Sequence, residues 1–244
     1  MGLTVIARPP ARKAGARPPA TTPPVSRLHS LKAGARAVDI PAGVARLKGT
    51  LTWPCHPSGF VLVTPAPTSL EDVRLAARLR VEGLGTLRID RIIGARDSDP
   101  ELQPGQLRAA TEWLVRQPEA AGLPMGCLSV GAGAGALVAA GSSAGIGAVV
   151  SYGGDPGRLG TRLYAMRAPT LLIVGDTDYE RLRLAYPGLV RVGGPTWLVT
   201  IPGTGPLQDG HALDEAGRRA AQWFVRHLVM EPAWRAAHPS AAHS

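Results

Sequence analysis

Apolar and polar positions follow two rhythms along this chain, and the rhythms take turns. Arg46-Leu-Lys-Gly-Thr-Leu-Thr-Trp53 alternates residue by residue, as a half-buried strand does. Gly59-Phe-Val-Leu-Val-Thr64 is apolar almost throughout, which suits a strand covered on both faces. Leu70 to Gly83 then spaces Leu70, Val73, Ala76, Ala77 and Leu79 at helical intervals, and Thr86 to Asp90 returns to a strand. Gln106 to Ala121 predicts a helix with Leu107, Ala110, Leu114 and Val115 on one side. Met125–Val130 and Gly147–Ser151 predict strands around a helix over Ala132–Ala140. A short helix over Leu159–Met166, strands over Pro169–Val174 and Trp197–Ile201, and an amphipathic helix over Ala212–Val229 complete the series. Strands alternating with helices predict an α/β fold, a mostly parallel sheet with helices on both faces.

Composition refines that picture in one place. The formal charge is +9, and seven of those charges are Arg8, Arg12, Lys13, Arg17, Arg27, Lys32 and Arg36, with no acid before Asp39. Residues 1–37 also hold six prolines, so this stretch cannot bury enough apolar surface to offset ordering and is expected to be a flexible basic arm. The expected organisation is therefore an arm over 1–37, a near-neutral domain over 38–230 and a flexible tail over 231–244. Such an arm could contact an acidic partner or nucleic acid through phosphates, although it has no aromatic residue to stack a base. Arginine so far outnumbers lysine, with Ala, Gly and Pro abundant, that GC-rich coding bias explains part of the basicity.

Other chemistry narrows quickly. The two cysteines, Cys55 and Cys127, make no disulfide framework, and Cys127 reads as a small buried hydrophobe. The histidines lack metal-ligand spacing, so neither a metal nor a cofactor is expected. Ala120 to Gly154 carries no charge, but its glycines, serines and Pro124 suit buried strands better than a membrane span. No apolar leader opens the chain, so a cytoplasmic location is expected.

The order of motifs resembles the dienelactone-hydrolase-like branch of the α/β-hydrolases. The resemblance runs from about Val38 to Leu228. It rests on Ile40-Pro-Ala-Gly43 with Gly49-Thr-Leu51, on Leu123-Pro-Met-Gly126, and on Ala148-Val-Val-Ser-Tyr-Gly-Gly154. Arg167-Ala-Pro-Thr-Leu-Leu-Ile-Val-Gly175 with Asp178, Ile201-Pro-Gly203 and Ala221-Gln-Trp-Phe-Val-Arg-His-Leu228 complete it. That family implies a nucleophile on a sharp strand-to-helix turn in a G-x-S-x-G frame, a histidine base, an orienting acid and an oxyanion loop.

In the register of the resemblance, Ser129-Val-Gly-Ala-Gly133 puts Gly131 at the nucleophile position, where no side-chain atom can attack. Asp178 fills the acid position, Pro206 stands where the base is expected, and Pro65 and Ala66 replace a His-Gly in the oxyanion loop. The residues point to a catalytically degenerate relative, a pseudoenzyme with a binding or assembly role and a protein partner or homo-oligomer. Two alternatives stay open. Gly141-Ser-Ser-Ala-Gly145 offers Ser143, and Ser129 is a second candidate, for an active serine hydrolase of esters or lactones using Asp178 and His211. Gly131 and Gly133, with Asp155 after the next strand, also fit a nucleotide-binding loop.

Overall fold

A computed structural model describes residues 5–8, 32–64, 69–94, 103–131, 140–141, 143, 145–154, 156–203 and 210–230. Nine strands form one sheet: β1 (Val5–Arg8), β2 (Gly34–Ala42), β3 (Ala45–Trp53), β4 (Phe60–Val63), β5 (Gly85–Ile93), β6 (Met125–Val130), β7 (Ala148–Tyr152), β8 (Thr170–Gly175) and β9 (Thr196–Ile201). Their order across the sheet is β1-β9-β8-β7-β6-β4-β5-β3-β2. The run from β5 through β4, β6, β7 and β8 to β9 is parallel, while β3 joins β5, β2 joins β3 and β1 joins β9 antiparallel.

Alternation along the central strands sends side chains into two cores. Cys127 and Val149 face one layer with Leu107, Ala110 and Leu114 of α2 (Pro104–Val115). Leu128, Val130 and Val150 face the other, with Leu75 and Leu79 of α1 (Ser69–Val81) and Phe224 of α4 (Gly210–Phe224). Among the described residues, no helix is long and apolar enough to cross a membrane. The charge-free stretch supplies β6 and β7, buried at every position.

Local chemistry explains the helix ends. Glu71 and Asp72 lie in the first turn of α1 and Arg78 and Arg80 in its last, matching the helix dipole at both ends. Pro104 opens α2, where its missing N–H costs nothing, and the Gln103 N–H donates to Gln106 Oε1 at 2.9 Å in a capping box. Between β8 and β9 lies α3 (Tyr179–Arg191), a helix the apolar spacing did not announce because Pro187 and Gly188 interrupt it.

The N-terminal expectation needs correction at two points. Val5–Arg8 pairs with β9, from Val5 with Val199 to Arg8 with Thr196, so part of the expected arm is sheet. Four β-tolerant residues suffice where a neighbouring strand supplies their hydrogen bonds. The folded region also resumes at Gly34 rather than 38, because Gly34–Ala37 pairs with Thr50–Trp53. The remainder of the expected arm and the expected tail lie outside the described residues.

Candidate functional site

The parallel strands β4, β6, β7 and β8 end side by side, and open α/β sheets bind ligands at such carboxyl ends. Gly131 follows β6 directly, with φ +68°. Glycine adopts that left-handed conformation without a Cβ penalty, and a nucleophile elbow calls for strained backbone of this kind. Its N–H donates to the Tyr152 carbonyl at 2.9 Å, tying the turn to the end of β7. At Gly154 a Cβ would stand 2.4 Å from Ser151 Oγ and 3.2 Å from the Gly131 carbonyl, so the space beside Gly131 is filled on that side.

Three buried hydroxyls underlie this turn: Thr64, Ser129 and Ser151. Ser129 and Ser151 are register partners on β6 and β7. The Thr64 N–H donates to the Leu128 carbonyl at 3.0 Å, while Thr64 Oγ1 accepts from the Val130 N–H at 3.2 Å. Thr64 therefore extends the β4–β6 ladder by one residue through its side chain. Thr64 and Ser151 did not stand out in the sequence, since a hydroxyl closing an apolar strand has no distinctive spacing.

Asp178 is buried just beyond β8 and begins α3. Its Oδ1 accepts from the Arg181 N–H at 3.2 Å, a helix cap, and its Oδ2 accepts from the Arg181 guanidinium at 2.5 Å. Asp178 thus serves as a helix cap and as the ion-pair partner of Arg181. The i, i+3 spacing of Asp178 and Arg181 was the readable signal for that pair.

The residues of the alternative serine-hydrolase reading fall apart in space. Ser143 lies in a tight turn: its N–H donates to the Ala140 carbonyl, and its Oγ accepts from the Gly145 N–H at 3.4 Å. A Cβ at Gly145 would touch Ser143 Oγ, Thr111 of α2 and Met125, the first residue of β6. Ser143 therefore sits at the amino end of β6, about 20 Å along the strand from Gly131 and on the opposite rim from Asp178. The structure does not bring Ser143 to Asp178. Ser129 is enclosed in β6. His211 is exposed in the first turn of α4. Pro65, Ala66, Gly133, Asp155 and Pro206 lie outside the described residues.

Cys127 is buried and its thiol is pushed up to about 12 by loss of solvation. At mildly alkaline pH its thiolate fraction is roughly a thousandfold below that of an ordinary thiol. Iodoacetamide is therefore expected to modify exposed Cys55 in the folded chain and Cys127 only after denaturation, as read by peptide mass spectrometry. Equal modification of both would contradict the buried position.

Beside the end of β4, Arg88 of β5 binds Asp90 at 2.6 Å and Asp72 at 3.4 Å. Burial raises the Asp72 carboxyl above 3.8, and the attraction of Arg88 only partly opposes it. The folded chain then holds this proton more tightly than the unfolded chain, so ionisation weakens the fold as pH rises through the folded-state value. Asp72→Asn is expected to raise the thermal midpoint at neutral pH, with the gain vanishing below about 3.8, where both side chains are neutral. A lower midpoint at neutral pH would show that pairing with Arg88 outweighs desolvation.

The same architecture occurs in solved structures. A dienelactone hydrolase from Anabaena variabilis superposes with a TM-score of 0.71 and 29% identity, over 80% of this chain and 99% of that one. The chain has the fold of the dienelactone-hydrolase-like branch of the α/β-hydrolases. A dienelactone hydrolase-like promiscuous phosphotriesterase from metagenomic libraries shares the hydrolase fold at TM-score 0.62 and 18% identity, over 80% and 98% of the two chains. No family model matches the sequence. Proteins from two Mycobacterium tuberculosis strains, each called a "putative phosphoribosyl transferase", are 33% identical over 204 residues. The match takes in 78% of this hydrolase-fold chain and 46% of theirs, so the chain spans less than half the length of these curated relatives.

Proposed function

We propose that this dienelactone-hydrolase-like chain is catalytically degenerate and acts by binding, with a phosphoribosyl transferase polypeptide as its partner. The observation that supports the first half is the left-handed conformation of Gly131 directly after β6, at the position where the resemblance expects the nucleophile and where glycine has no side-chain atom to attack. Asp178, spent on Arg181 and the α3 cap, supports it, as does Pro206 in the sequence position expected for the base.

The second half rests on the length of the curated relatives. Their matched part corresponds to a hydrolase-type sheet, so the activity in their name is assigned to the part beyond the match. In those relatives the two parts share one polypeptide, which supports a phosphoribosyl transferase as the partner of the hydrolase-like part, and the residues around the β4, β6 and β8 ends would serve a ligand or partner.

Fluorophosphonate labelling and a panel of short-chain aryl esters test the first half. The expected result is no labelling and no turnover; labelling abolished by Ser129→Ala or Ser143→Ala would overturn it. Native mass spectrometry tests the second, with the segment of the M. tuberculosis relative outside the match as partner. A one-to-one complex is expected, and separate species at equimolar mixing would overturn the pairing.

A further inference from the structure

The two edges of the sheet are built differently. Edge strand β2 carries Arg36, Asp39 and Pro41, residues that discourage another strand from pairing. Strand β9 reads Thr-Trp-Leu-Val-Thr-Ile, with no charge, no proline and no glycine. Six residues of that kind on an open edge form a template for strand addition. In this chain the template is covered by β1, which makes β9 an interior strand.

The backbone groups under the cover can be assigned. The Pro195 carbonyl accepts from the Thr170 N–H and the Ile201 carbonyl from the Asp176 N–H, so odd-numbered residues of β9 turn toward β8. The N–H and C=O of Thr196, Leu198 and Thr200 then face β1, where Arg8 is opposite Thr196 and Ile6 opposite Leu198. The connection from residue 9 to residue 33 joins opposite edges of the sheet, eight strand spacings or about 38 Å apart. Its contour reaches about 80 Å, so one molecule can cover its own edge.

We propose that β1 is a removable cover and that the β9 edge beneath it docks a second copy of this chain. Two β9 strands pair antiparallel about Leu198, with Leu198 opposite its equivalent and Thr196 opposite Thr200 of the other copy. This places the outward N–H and C=O groups in register and closes the dimer by a two-fold axis, with Thr–Thr pairs flanking the centre. The occupant follows from the seat: an antiparallel segment of the same chain already lies there, and the six residues offer no charge for a partner to complement. The inference is independent of the chemistry at the elbow.

Sedimentation equilibrium and hydrogen exchange on three proteins test it: the full chain, the chain lacking residues 1–8, and the truncated chain carrying Thr200→Lys. The full chain is expected to be monomeric with Thr196 and Leu198 amides protected. Truncation is expected to double the mass with those amides still protected, and Thr200→Lys to restore the monomer and expose them. Ile6→Pro in the full chain removes the N–H that meets Leu198 and serves where the truncated protein fails to fold; it is expected to give the same dimer. A truncated chain or Ile6→Pro variant that stays monomeric, a full chain that is already a dimer, or open-ended aggregates in place of a dimer would each overturn the proposal.

Discussion

Phe224→Ala is expected to lower stability by about 3–5 kcal/mol, the range for emptying a fully buried aromatic site. For a chain of this size that corresponds to a fall of roughly 6–20 °C in the thermal midpoint. Phe224 closes α4 and is wholly excluded from solvent. Its ring lies against β6, so closely that a Cβ at Gly126 would stand 2.5 and 2.6 Å from two ring carbons. Gly126 is thus the flat surface on which the ring rests, on the strand that delivers Gly131 to its turn. Gly126→Ala should cost about 1–3 kcal/mol by overpacking. Because both changes act on one contact, Gly126→Ala with Phe224→Leu should cost less than the two single changes together, by about 0.5–3 kcal/mol. Thermal unfolding followed by circular dichroism measures each. A loss below about 1 kcal/mol for Phe224→Ala would mean that the ring is not the keystone of this contact.

The parallel centre of the fold was the most legible part of the sequence. Phe60–Val63, Met125–Val130 and Thr170–Gly175 emerge where continuous apolar runs placed them, since strands covered on both faces show no polar alternation. Helix α1 matched its spacing within about a turn. Helix α2 ends at Val115 rather than near Ala121, where Arg116 to Gly122 form successive turns and Gly122 has φ +73°. The helix read over Ala212–Val229 is α-helical to Phe224 and then widens to a π turn over Val225–Met230. Wider spacing still fits an amphipathic pattern, so periodicity does not separate the two. Strand β1 was hidden because its partner is almost two hundred residues away, at the far edge of the sheet. Local composition carries no trace of such a long-range pairing, and a basic, proline-rich stretch argues against it.

Site residues were legible as identities more than as surroundings. The resemblance puts the nucleophile position at Gly131 by register alone, while the positive φ of that residue is visible only in the structure. Asp178 could be placed at the end of its strand, but its commitment to Arg181 needed coordinates. Ser143 shows the limit most plainly. Its G-x-S-x-G match is complete in sequence, yet the turn containing it closes at the amino rim beside Met125. A motif of small residues reports a tight turn, while the rim on which the turn lies is decided by the strands around it.

Gly131→Ser is expected to add a hydroxyl at the elbow without adding turnover. The substitution puts a Cβ on a residue with φ +68°, at a cost of about 1–2 kcal/mol. The new hydroxyl would have no base, because Pro206 can accept no proton, and Asp178 would remain bound to Arg181. Members of a catalytic triad act as a unit, so supplying one restores little. Gly131→Ser combined with Pro206→His and Arg181→Ala supplies the nucleophile and base and releases the acid. That triple variant is expected to hydrolyse p-nitrophenyl acetate roughly 10²-fold or more faster than Gly131→Ser alone, the contribution of a positioned general base. Fluorophosphonate labelling should follow the same order. Equal rates for the single and triple variants would mean that residue 206 does not reach the elbow. Turnover by the unaltered chain, lost on changing a serine elsewhere, would move the nucleophile away from position 131 altogether.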